Sequence, residues 1–169
     1  MGVGALISLD EYLRTSFHPD CDFIEGEVVE RNLGKRKHSY AQGEIVSWFN
    51  RQKGVLFLQA LPELRMRVGP GRIRIVDVVV SVIPLPDEEV FTSPPYLGIE
   101  VMCPDDTIAS MQDRMDDYLN FGVPNVWGID PWKHRGWQVT AEGWATAAGG
   151  VMRTAYGRIA MPLADVLLP

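Results

Sequence analysis

The sequence predicts a mixed α/β fold, one sheet of mixed strand direction flanked by helices, in a single domain spanning 1–169. Three observations lead there. Residues 64–79 alternate apolar and polar side chains around Gly69-Pro70-Gly71, as a hairpin does. Residues 108–119 carry apolar side chains at a 3.6-residue spacing between two apolar runs, 96–102 and 123–130, which is the order strand, helix, strand. The chain has 169 residues, 46% hydrophobic and 22% charged, which is ordinary globular composition and excludes disorder and collagen-like repeats. A chain this long makes one domain at about 100–200 residues each, and buries enough surface to fold without disulfide or metal staples.

Each element has its own warrant. Leu9–Leu13 reads as a short helix, and Asp22–Val29 as a strand, a turn at Glu25-Gly26 and a second strand. From about His38 to Gln52, Ala41, Ile45, Trp48 and Phe49 recur at helical spacing. His38 shares a stripe with Ala41 and Ile45, so it opens that helix facing inward. In the hairpin, Leu64, Met66 and Val68 mark the buried face of one strand and Ile73, Ile75, Asp77 and Val79 that of the other. Arg65, Arg67, Arg72 and Arg74 then share the exposed face. A proline-rich loop, 83–95, leads to a buried strand, Tyr96–Met102, stopped by Pro104. Asp105–Phe121 is helical, with Asp105 or Asp106 as its cap and Gly122 just past its end. Val123–Asp130 is a core strand, and Gly136–Thr146 a closing hairpin with Trp137 and Trp144. Trp48 and Trp127 lie in core patterns. Trp132 and Trp137, near Lys133 and Arg135, suit surface contacts or a dimer interface.

No apolar run reaches the roughly 20 residues that span a bilayer, and the first ten residues lack the basic start of a secretory signal. The two cysteines, Cys21 and Cys103, have no Cys-x-x-Cys spacing. The expectation is a reduced, cytoplasmic protein with no membrane partner.

Net charge is −6, but unevenly spread. Between Arg31 and Arg74 ten basic residues meet two acids, so this stretch carries +8 and the remainder −14. Such asymmetry predicts either a one-sided basic surface or a solvated face without a partner. Lys35, Arg36, Lys37, Arg65, Arg67, Arg72 and Arg74 are its candidate nucleic-acid contacts.

Asp77 and Glu100 are the chemically informative residues. Each interrupts a run of Ile, Val or Leu. An unpaired buried carboxylate costs several kcal/mol, so each acid either sits at an exposed strand end or meets a cation. If the two lie on neighbouring strands, their mutual repulsion raises one pKa unless a cation stands between them. A hard divalent ion such as Mg²⁺ takes one or two carboxylates with carbonyl and phosphate oxygens. Beside a basic surface it would suit phosphodiester hydrolysis.

The order Asp22-Phe-Ile-Glu-Gly-Glu27, His38, Arg74-Ile-Val-Asp-Val-Val-Val80, Gly98-Ile-Glu-Val-Met-Cys-Pro104, Tyr118-Leu-Asn-Phe-Gly-Val-Pro124 and Val126-Trp-Gly-Ile-Asp-Pro131 resembles the Uma2 family, restriction endonucleases of the PD-(D/E)xK superfamily. The resemblance runs from about Ser8 to the end. It implies a restriction-endonuclease-like core and a Mg²⁺- or Mn²⁺-dependent endonuclease acting on nucleic acid, with DNA the expected substrate and a homodimer the expected assembly. By the same resemblance Asp77 and Glu100 hold the metal with the Val101 carbonyl, and Asp22 and His38 assist from the neighbouring layer. His38 also suits a purely structural role as a helix-opening histidine with a bonded ring.

Several positions depart from the family pattern. Val76 precedes Asp77 where proline is usual, Asp22 stands for Glu and Cys103 for Ser. Met102 occupies the superfamily's lysine position, and Arg114, one helical turn before Tyr118, stands where these proteins carry a substitute lysine. Arginine keeps the charge and clamps phosphate with two hydrogen bonds, but its pKa above about 12 makes it a poor base. The alternative expectation is therefore a weakened or inactive member that binds nucleic acid or serves as an oligomeric interaction module.

Overall fold

A computed structural model describes residues 6–32 and 34–169; the start of the N-terminal stretch read above for a leader lies outside them. The expected mixed α/β architecture is present. Among the described residues, strands β1 (Cys21–Ile24), β2 (Glu27–Glu30), β3 (Leu58–Gly69), β4 (Arg72–Val82), β5 (Leu97–Val101), β6 (Val126–Asp130), β7 (Arg135–Thr140) and β8 (Gly143–Thr146) form one eight-stranded sheet. Its order is β2-β1-β4-β5-β6-β7-β8, with β3 also on β4. Only the β5–β6 pair is parallel, joined by helix α4 (Ile108–Phe121) as such a crossover requires. Helices α1 (Leu9–Arg14), α2 (Arg36–Arg51) and α3 (Lys53–Leu56) precede β3, and a small ribbon of β9 (Val151–Arg153) and β10 (Ala160–Pro162) closes the chain.

Two helical stripes cover the two faces of the sheet. On α2 the inward stripe is His38, Ala41, Ile45 and Phe49, which packs on Val78, Val80, Ile99 and Trp127. On α4 it is Met111, Arg114, Met115 and Tyr118; its apolar members pack on Val76, Val79 and Val126. Each fully buried valine contributes about 1.5 kcal/mol or more by leaving water. Helix α4 starts later than expected. Thr107, not Asp105 or Asp106, is its cap, in a reciprocal pair with Ser110. Gly122 ends it at φ 98°, a conformation glycine adopts without strain.

The site is positioned by the length of β4. One edge pairs with β3 from end to end. The other pairs with β1 only at Arg72 and Ile73, and with β5 only at Val78 to Val80. Between these partners the strand edge forks open at 74–77. Side chains satisfy the backbone there: the Ile75 amide donates to Asp22 Oδ1 (2.9 Å), and Gln42 Nε2 donates to the Asp77 carbonyl (2.9 Å).

The fork also breaks the alternation of β4. Val76 joins the α4 side of the core, whereas Val78 joins the α2 side. On β3, Leu64 pairs with Val76 and Pro62 with Val78, while Glu63 between them takes φ 49°. The single face expected for Ile73, Ile75, Asp77 and Val79 therefore does not persist past Asp77. Nor do four arginines share an exposed face. Arg74 is buried at 3% exposure among Asp22, Asp113 and Asp117, and Arg72 also binds Asp117 (3.0 Å). Arg65 pairs with Asp20 (3.0 Å) over the Tyr12 ring. Only Arg67 of the four is exposed. The one-sided surface read from the linear charge count is thus partly neutralised by acids brought in from β1 and α4. Trp137 is buried rather than superficial, edge-on to Trp144 and capped by the Arg135 guanidinium.

Candidate active site

Asp77 and Glu100 are brought to the fork, from β4 and β5, at 2% and 1% exposure. The Asp77 carboxylate is held from three sides. Its Oδ2 accepts from the Val101 amide (2.8 Å) and lies 3.3 Å from His38 Nε2, and its Oδ1 accepts from Arg31 Nη2 (2.6 Å). Burial opposes ionisation of Asp77, but the His38 hydrogen bond and the Arg31 charge prevail and lower its pKa to about 2. The same arrangement raises His38: burial disfavours its charge, yet its hydrogen bonds to Asp77 and Cys103 lift its pKa to about 10.

Glu100 is held differently. Tyr118 Oη, one turn after Arg114 on α4, donates to Oε1 (2.5 Å). The other oxygen, Oε2, is fully buried and has no hydrogen-bond partner. Arg114 Nε stands 3.5 Å from it and Arg31 Nη2 4.0 Å, neither making a hydrogen bond to it. Burial, then the charge of Asp77, raises the Glu100 pKa to about 7, against the pull of Arg114 and Arg31. Arg114 itself is anchored by Nη2 to Asp106 Oδ1 (3.1 Å). Asp106 in turn accepts from the Cys103 amide (2.7 Å) and from Asn32 (2.9 Å).

Three acids, Asp77, Glu100 and Asp106, thus face three bases, Arg31, His38 and Arg114. A cleft of about 160 Å³ opens beside them, lined by Arg31, His38, Asp77, Cys103, Asp106 and Arg114 among others. The two acids share a cation, as burial requires, and the cation placed there is Arg31.

The other sequence-predicted residues fall in distinct places. Asp22 spends both oxygens on structure, accepting from the Ile75 amide and from Arg74 Nη1 (3.0 Å), so it pins β1 to β4 beside the cleft. Lys35 pairs with Asp105 (3.3 Å), Arg36 is exposed and Lys37 half-buried at the start of α2, directly after the cleft residues Asn32 and Gly34. The reading from sequence missed Arg31, Asp106 and Gln42 as site residues. Arg31 was visible only as one more charge in a basic stretch, and Asp106 only as a helix cap.

The Uma2 family, described as "Putative restriction endonuclease", matches residues 9–146 of the chain. The chain belongs to the Uma2 family. A crystal structure of a "putative nuclease belonging to DUF820" from Anabaena variabilis superposes with a TM-score of 0.81 at 22% identity, covering 95% of this chain and 97% of that one. That likeness shows the shared nuclease-like fold. No curated protein sequence matches the chain. In this Uma2 protein, Asp77 and Glu100 fall on adjacent strands at one fork, with Arg114 directed at Glu100 from the helix that follows. No helix among the described residues is long and apolar enough to cross a membrane.

Whether these residues suit a divalent ion is decided by their donor set. Among the described residues no three His, Cys, Asp or Glu side chains converge as a metal cage. A hard ion such as Mg²⁺, however, needs only one or two protein carboxylates. Glu100 Oε2 is a buried carboxylate oxygen without a hydrogen-bond partner, and Asp77 Oδ1 is bonded to the Arg31 guanidinium rather than to backbone. The fit is good on condition that Arg31 leaves.

Proposed function

We propose that this Uma2 protein is an endonuclease that hydrolyses phosphodiester bonds, with DNA as its substrate and Mg²⁺ or Mn²⁺ as its cofactor. Asp77 and Glu100 would hold the ion, with the Val101 carbonyl as a further ligand. The observation that carries this reading is Glu100 Oε2. A buried anionic oxygen left without a hydrogen bond is costly, and a cation ligand at that oxygen would remove the cost. When bound, the ion would polarise the phosphate and make a coordinated water more acidic.

The chain's own residues do the rest. The Val101 amide and His38 keep Asp77 ionised and aimed into the cleft. Arg114, held by Asp106, offsets the negative charge that builds on the phosphate oxygens; it cannot take a proton from water. Tyr118 fixes the rotamer of Glu100. Exposed Arg36 and Arg67, with half-buried Lys37, contact the nucleic-acid backbone, which positions it without reading sequence. Arg74 has no such role, since its donors are already spent.

Plasmid nicking with Mg²⁺ or Mn²⁺ tests the reading. Asp77→Ala is expected to lower the rate by at least about a hundredfold, as when one electrostatic group of a site is removed. Equal nicking by wild type and variant would exclude it. Salt-dependent DNA binding without nicking by either would favour the second reading, a binding module. What favours that reading is Arg114 in the position of a lysine.

A further inference from the structure

Arg31 is the cation that the two buried acids share, and most of its donors are unused. It lies in the loop between β2 and α2, with its side chain 14% exposed. Its one hydrogen bond to the described residues is from Nη2 to Asp77 Oδ1, at 2.6 Å. The same nitrogen is 4.0 Å from Glu100 Oε2, and Nε is 4.0 Å from Asp22 Oδ1. Nε is buried without a hydrogen-bond partner, as is the Glu100 oxygen it helps to neutralise. A guanidinium with so many idle donors supplies charge more than structure.

Its position excludes a metal ion. Mg²⁺ binds oxygens at about 2.0–2.1 Å, and Asp77 Oδ1 is already covered by Nη2 at 2.6 Å. A dication entering an acid–base set that is already balanced three against three would also meet the repulsion of Arg31. The guanidinium has somewhere else to go. A phosphate entering the cleft offers two oxygens in the planar geometry that a guanidinium binds best, and Arg31 lines that cleft.

We propose that Arg31 is a tethered counter-cation: it holds Asp77 and Glu100 closed to a divalent metal until a nucleic-acid phosphate draws its guanidinium away. This rests on the assignment of Asp77 and Glu100 as metal ligands and adds a coupling to it. Metal affinity is low in the free protein and rises with nucleic acid bound, and by linkage the metal raises affinity for nucleic acid by the same factor.

Calorimetric titration with Mn²⁺ tests the coupling without reference to cleavage. The forms compared are wild type, Arg31→Ala, Arg31→Gln and Asp77→Asn, each alone and with a short phosphorothioate DNA duplex. Both Arg31 variants are expected to bind Mn²⁺ about tenfold tighter or more than wild type when alone. The duplex is expected to tighten wild type by a similar factor and to leave the Arg31 variants nearly unchanged. If Arg31→Ala does not fold in a chelator, Mn²⁺ is expected to restore its circular dichroism and melting transition, and failure to restore them would overturn the proposal. Mn²⁺ binding that Asp77→Asn abolishes, but that Arg31 substitutions do not strengthen, would overturn the counter-cation role and leave the metal site standing. No Mn²⁺ binding by any form, with or without duplex, would overturn both.

Discussion

Two arginine clusters meet neighbouring stretches of β4, one around Arg74 and one around Asp77, and they are built to opposite standards. Around Arg74, Nε donates to Asp117 (2.6 Å), Nη1 to Asp22 (3.0 Å) and Nη2 to Asp113. Each nitrogen has its own carboxylate. Three residues on, at the fork, Arg31 Nε, Arg114 Nε and Glu100 Oε2 are all buried and all lack hydrogen bonds. Asp22 lies between the two clusters, bonded to Arg74 and 4.0 Å from Arg31. A filled network rigidifies a fold, whereas a partly filled one is expensive unless something else completes it. The contrast separates the arginine that holds β1, β4 and α4 together from the two whose buried Nε atoms make no hydrogen bond.

The sharpest way to break this comparison is at Arg74. Arg74→Met leaves Asp22 buried without its cation and removes the tie to α4. It is expected to destabilise the protein by about 3–5 kcal/mol, as removing one partner of a buried pair does. Urea denaturation measures this, and a loss under about 1 kcal/mol would make the two clusters equivalent.

Glu100→Gln should act in the opposite direction. Tyr118 keeps its acceptor, and the charge that burial disfavours disappears. The folded pKa of Glu100, about 7, lies above its ordinary value near 4.5. Its stability contribution is therefore complete below about pH 4.5 and lost as pH rises through 7. In a chelating buffer at pH 8, Glu100→Gln is expected to be more stable than wild type by about 1–3 kcal/mol, with the difference vanishing near pH 4. The same variant is expected to lose Mn²⁺ binding, so one substitution exposes the conflict between stability and function at the fork.

Arg67, exposed on β3 with its guanidinium donating to the Pro70 carbonyl (3.4 Å), sets the lower limit. Arg67→Ala is expected to change stability by less than about 0.5 kcal/mol. It should reduce the dependence of DNA affinity on salt by about one unit of slope, measured by fluorescence anisotropy across salt concentrations. An unchanged slope would move the nucleic-acid path away from the hairpin.

Much of the fold was legible because local periodicity is a property of the chain. The stripe His38, Ala41, Ile45, Phe49 and the stripe Met111, Arg114, Met115, Tyr118 each cover one face of the sheet, as their spacing predicts. Asp77 and Glu100 were legible for a related reason: an acid inside a run of valines conflicts with its surroundings, and the conflict marks a site. Alternation failed as a guide to Arg74 because acids from β1 and α4 enclose it, and as a guide to the faces of β4 because the strand changes face at Asp77, near Glu63 at φ 49°. The cap of α4 was misplaced because Asp106 is engaged by Arg114, Asn32 and the Cys103 amide, leaving the role to Thr107. Nothing local distinguishes Arg31, a loop residue with no period to obey.

From its sequence alone this protein could be read as a mixed α/β sheet with two misplaced carboxylates, a helix aimed at one of them and a family likeness. Those features depend on residue type, spacing and burial, which neighbours in the chain dictate. Which charges meet depended on the tertiary structure. It directed Arg74 into a closed cage and Arg31 into an open one, because the partners that distinguish them come from β1, β5 and α4, and Coulomb attraction acts through space rather than along the chain.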